Sequence, residues 1–180
     1  VAQAEFTADF TLPASTFKYL LSMVHFAMAQ QDIRYYLNGM LLVVEGTTVR
    51  AVATDGHRLA LCEVAKDGAS NKIEAIIPRK TVLELSRLLP DSDDPVRVQM
   101  AANQVKFSFG SIELVSKLVE GRFPDYQRVV PANNTKFVTV GRAETMAALQ
   151  RAAILTTDRF KGVRMVLAPG SIKINSTNAD

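Results

Sequence analysis

Apolar and polar positions along the chain change period in a fixed order, and that order recurs. A short strand-like run, FTL at 10–12, meets Pro13, a residue suited to the first turn of a helix. Phe17, Leu20, Leu21, Val24 and Met28 then recur at helical spacing. Three alternating runs follow: MLLVVE (40–45), TVRAVAT (48–54) and RLALCEV (58–64). The period of two predicts strands with one buried face.

Shifted by 65 residues, the order returns. EAII leads to Pro78, in the place of Pro13, and then to a helix with Val82, Leu85 and Leu89 on one face. The strands VRVQM (96–100), QVKFSF (104–109) and IELVSKLV (112–119) follow. A third copy starts after the linker at 121–134. Met146, Leu149 and Ala153 stand for Phe17, Leu20 and Val24, and the run 163–178 repeats a hairpin, with Thr177 and Asn178 for Thr54 and Asp55. The pattern predicts an α+β fold. One complete domain, 1–126, holds two strand–helix–three-strand halves, with antiparallel sheets and both helices on one face, and 127–180 begin a second such domain. Turns at Asn103-Gln104 and Pro169-Gly170 support antiparallel pairing. Met23, Met28 and Met146, on helical faces, are expected in the core.

Composition changes this picture little. Apolar residues make up 48% of the 180 and charged residues 22%, as in an ordinary globular protein. No apolar run reaches the roughly 18 residues of a membrane helix. The opening VAQAEFTADF has two acids, no base and no initiator Met. It is unlike a signal peptide, and the expectation is a chain cut from something longer. Cys62 is the only cysteine, which fits a reducing cytoplasm and the role of a small buried hydrophobe. His25 and His57 lack partners at metal-ligand spacing, so no metal or other cofactor is expected. Residues 1–126 carry 13 basic against 15 acidic side chains, and 127–180 carry 8 against 3. Contact with nucleic acid would have to come from a local face.

The alternation breaks once in a chemically loaded way, at Thr54-Asp55-Gly56-His57-Arg58. A hairpin turn with a solvated His57 is one reading, and a recognition surface is another. A small enzyme built on Asp55, His57 and Arg58 near Cys62 is a third, but no serine or cysteine nucleophile has a matching setting. The helices carry few basic residues, which argues against a sequence-specific DNA module. Lys18, Ser22 and His25 lie opposite the apolar stripe of the first helix, and Lys80, Glu84 and Arg87 do so on the second.

VATDGHRLAL (52–61), YYLNGM (35–40), IIPRK (76–80), SKLVEGRFPDYQRV (116–129), AAIL (152–155) and KGVRM (161–165) closely resemble the bacterial DNA polymerase III β subunit family, the sliding clamps. The resemblance covers essentially the whole chain, as a second domain and the start of a third. It implies the DNA-clamp fold and a non-enzymatic processivity factor, a head-to-tail dimeric ring enclosing duplex DNA without reading its sequence. It implies a cleft that docks short peptides of the replicative polymerase, the clamp loader and repair polymerases. By motif, that cleft is lined by Leu37, Thr54, Gly56, His57, Arg58, Leu59, Pro124, Arg128 and Val129. Gln31, Tyr35, Tyr36 and Lys80 are the implied DNA contacts. Ile154 and Leu155 match positions near the ring interface. Without a first domain, this piece is expected not to close a ring.

Overall fold

The computed structural model describes residues 5–176. The chain divides into two compact units, 1–130 and 131–180. Thr177 and Asn178, the end of the third repeat, lie outside the described residues.

In the first unit, β1 (Ala8–Pro13) leads directly into α1 (Ala14–Ser22). The strands β2 (Gly39–Thr54) and β3 (Leu59–Pro78) follow, then α2 (Arg79–Leu88), β4 (Pro95–Met100), β5 (Gln104–Phe109), β6 (Ile112–Lys117) and the short α3 (Tyr126–Val129). Pro13 and Pro78 immediately precede the two helices, where their fixed φ suits a helix start. The first helix is shorter than its stripe predicts. It ends at Ser22, and Val24 and Met28 reach the core through a turn and a 3₁₀ segment, His25–Ala27.

The halves exchange strands. β1 of the first half pairs antiparallel with β4 of the second, in the order β1-β4-β5-β6. In return, residues 73–78 of the second half pair with 39–44 of the first. Each half therefore supplies an edge that the other needs, and neither encloses a core alone.

The strands expected at 40–45 and 48–54 follow one another without a gap, as the two arms of β2. The runs at 58–64 and 74–77 are likewise joined in β3. The β2–β3 ladder has two blocks, 39–44 with 73–78 and 48–54 with 59–65, with the register shifting around Gly46. These blocks cannot lie end to end. Met40 and Ala53 are fully buried in one core. A straight strand would separate them by about 43 Å, whereas the helices covering that core are nine and ten residues long, roughly 14 Å. β2 must therefore double back near Gly46. There Gly46 takes φ +56°, and Thr48 Oγ1 donates to the Glu45 carbonyl at 3.0 Å. The buried phase switches across this turn, from Met40, Leu42 and Val44 to Val49, Ala51 and Ala53.

The main core lies between the helices and the sheets. Phe17 of α1 stacks on Phe107 of β5 at 5.8 Å between ring centroids, fastening the two halves. A smaller cluster, with Leu37, Leu41, Val52, Ile76, Phe123 and Tyr126, carries the opposite phase of β2.

Described by itself, the second unit contains α4 (Arg142–Ala153) and a hairpin of β7 (Arg164–Ala168) and β8 (Ser171–Asn175), closed by Pro169-Gly170. No residue of α4 is buried. Met146 is thus exposed, against expectation, because a single hairpin offers too little surface to cover the helix. Met23 is exposed too, since it caps α1 beyond the last buried turn, while Met28 is buried. Among the described residues, no helix is long and apolar enough to cross a membrane.

Candidate functional site

The break at residues 54–58 is a locked corner between β2 and β3. Asp55 Oδ1 accepts from the backbone N–H groups of His57 at 2.9 Å and Arg58 at 3.0 Å. These bonds, that to His57 first, hold the Asp55 carboxyl below its usual range. The buried Thr54 hydroxyl donates to the Arg58 carbonyl at 2.7 Å and accepts from Gly56 N–H at 3.2 Å. Gly56 closes the turn with φ +88°, a conformation that glycine adopts freely.

Asp55 is therefore consumed by its own backbone and by Arg58, whose Nε lies 3.2 Å from Oδ2. His57 points no basic nitrogen at a nucleophile in any described hydrogen bond, and burial pushes the Cys62 thiol up, away from a reactive thiolate. Among the described residues no cluster of His, Cys, Asp or Glu could hold a metal ion.

Its outward face is specific. His57 and Arg58 are exposed. The Arg58 guanidinium donates from Nη2 to the Phe26 carbonyl at 2.9 Å and sits 5.5 Å from the centroid of the Phe26 ring. Arg34 covers the corner from the other side: a Cβ on Gly56 would come within 3.1 Å of Arg34 Nη2. Arg34 is itself gripped by Asp32 through Nε and Nη2, both at 3.0 Å. That grip lowers the Asp32 carboxyl to about 2.

Other sequence-singled residues fall into three groups. Leu37, with only 2% exposure, backs the surface from the smaller cluster, and half-buried Leu59 packs against that cluster. Pro124 is half-buried on the segment after β6, whereas Arg128 and Val129 are exposed on the short α3 (Tyr126–Val129). Arg128 pairs with Asp125 at 3.1 Å. Gln31, Tyr35 and Tyr36 belong to a loop clipped shut by Asn38, whose amide donates to the Asp32 carbonyl and accepts from Asp32 N–H, each at 2.9 Å. Gln31 takes φ +52°, Tyr35 is exposed, and Tyr36 meets it edge-to-face at 5.8 Å. Lys80 is exposed on α2, whose first residue bonds the Asn38 carbonyl. In the second unit, Ile154 and Leu155 are exposed just after α4.

Arg50 was missed in the sequence. It shares its strand phase with the buried Val52, so a charge on a buried face was the available signal. It donates to Glu63 and, from Nη1, to the Tyr126 hydroxyl at 2.8 Å.

Residues 11–125 match the family model described as DNA polymerase III beta subunit, central domain, and residues 127–180 match that of its C-terminal domain. The beta sliding clamp of Escherichia coli K12 is 45% identical over 172 residues, covering 96% of this chain and 47% of that protein. The Pseudomonas aeruginosa DNA polymerase III subunit beta has a crystal structure that superposes with TM-score 0.91 at 42% identity, over 97% of this chain and 48% of that one. A Bartonella birtlesii sliding clamp, solved bound to griselimycin, gives TM-score 0.89 at 38% identity, covering 99% of this chain and 50% of that one. The chain thus spans about half the length of the relatives it matches.

Proposed function

Because the chain belongs to the DNA polymerase III beta-subunit family, the sliding clamps, we propose that it is the peptide-docking portion of a processivity factor acting in the cytoplasm. Residues 1–126 correspond to the second clamp domain and 127–180 to the opening of the third. The protein does no chemistry. It holds polymerases and the clamp loader through short linear peptides, while the assembled clamp holds duplex DNA by enclosure.

One observation carries the docking reading: a corner with exposed His57 and Arg58 is held rigid by Thr54 and Asp55 and has no described catalytic partner. A prepaid conformation lowers the entropic cost of binding a flexible peptide. Leu59, Pro124 and Val129 offer apolar contact, with Leu37 behind them, and Gly56 holds the turn that presents His57 and Arg58. Arg58 and Arg128 provide donors for peptide carbonyls or carboxylates. The DNA-facing set is Gln31, Tyr35, Tyr36 and Lys80, where amphipathic tyrosines lie against the duplex and Lys80 meets phosphate loosely. Ile154 and Leu155 contribute apolar surface near the ring interface.

Fluorescence titration with a labelled pentapeptide carrying Gln, Leu and Phe tests the docking reading. Arg58→Ala and Leu59→Ala should each weaken binding about tenfold, the scale of one well-placed contact. Unchanged affinity in both variants would exclude the corner as the dock.

A further inference from the structure

The walls of the proposed cleft come from parts of the chain far apart in sequence: the corner at 54–59, and the segment carrying Pro124, Arg128 and Val129. We propose that Arg50 is the positioning residue that fixes one wall against the other, a role that rests on the peptide-docking reading. Arg50 lies in β2 four residues before Thr54, directly across from Glu63 of β3. Its Nε donates to Glu63 Oε2 at 2.8 Å, and Nη2 also meets that oxygen, at 2.6 Å. The remaining arm, Nη1, reaches the Tyr126 hydroxyl at 2.8 Å.

Tyr126 opens α3, whose last two residues are Arg128 and Val129. Its ring is buried with Leu37, Leu41 and Phe123. The other described hydrogen bonds and ion pairs of 121–130, such as Arg128 N–H to the Asp125 carbonyl and the Arg128–Asp125 pair, stay within the segment. Among the described residues, Arg50–Tyr126 is thus the hydrogen bond that leaves this segment for the rest of the unit. Apolar contacts of Phe123 are non-directional and tolerate sliding. A fork anchored on Glu63 is directional and sets where α3 stands relative to the strand that ends in the corner.

The test pairs peptide titration with hydrogen exchange on the whole chain. Tyr126→Phe keeps the buried ring and removes only the hydroxyl. It should weaken the Gln/Leu/Phe pentapeptide about five- to tenfold, the scale of one net hydrogen bond, and speed exchange in 121–130 but not in β1 or β4. Arg50→Lys keeps a charge for Glu63 without the fork and should behave like Tyr126→Phe. The double variant Arg50→Lys with Tyr126→Phe should be no worse than either single change. Parental affinity and exchange in Tyr126→Phe, or additive losses in the double variant, would overturn the assignment. If the parent fails to bind the peptide, the docking reading falls and the role of Arg50 falls with it. If Leu59→Ala weakens binding while Tyr126→Phe does not, docking stands and only the clasp is lost.

Discussion

Replacing Gly56 with Ala perturbs the corner at its most constrained point. Gly56 has φ +88°, and holding a residue with a Cβ there costs on the order of 1–3 kcal/mol. The new Cβ would also meet Arg34 Nη2 at 3.1 Å. That atom ends a flexible side chain, so it can yield, but yielding disturbs the Asp32 grip on Arg34 at 3.0 Å. If the backbone relaxes instead, the two N–H bonds to Asp55 lengthen. A loss of about 1–2 kcal/mol follows, a five- to thirtyfold change in the folding constant. Urea unfolding by far-UV circular dichroism measures it, with an unchanged m-value showing that stability alone has moved. Asn at position 56 should cost less than Ala, because Asn tolerates positive φ. An Ala variant within about 0.3 kcal/mol of the parent, or an Asn variant worse than Ala, would refute a conformational role for this glycine.

Three further outcomes follow from the same geometry. Phe107→Ala empties one side of the fully buried Phe17 stack and should cost about 3–5 kcal/mol in urea unfolding; a loss below about 1 kcal/mol contradicts the packing described. The Asp32 carboxyl, lowered from 3.8 to about 2 by Arg34, favours the folded state fully above 3.8 and loses that contribution as pH falls through about 2; carboxyl carbon NMR should report the low midpoint, and Arg34→Ala should raise it. Asn38→Ala removes the clip on the loop holding Gln31, Tyr35 and Tyr36; amide exchange in 31–37 should quicken and DNA binding weaken a few-fold with an unchanged salt slope, because no phosphate contact is lost. A changed slope would place a charge contact in the clip itself.

Much of the fold is legible without coordinates, for local reasons. Pro13 and Pro78 mark helix starts, and the stripe Phe17, Leu20, Leu21 and Val24 is buried throughout. The corner is equally legible, since Asp55-Gly56 carries its own turn chemistry and its hydrogen bonds span only two to four residues. Met146 sits on the face that periodicity marks as apolar yet is exposed, because periodicity reports which face is apolar but not whether anything covers it. The contact of Arg50 has no local signature, because its partner Tyr126 stands 76 residues away.

Periods, turns and the repeated order of elements are all readable along the chain, since each depends on backbone preferences and side chains within a few residues. Long-range packing sets the rest: β1 joins β4 rather than a strand of its own half, β2 doubles back within one core, and Arg50 spans from Glu63 to Tyr126. Those choices follow from burying two apolar sheet faces at once. That burial is a property of the whole chain's packing, and no local window contains it.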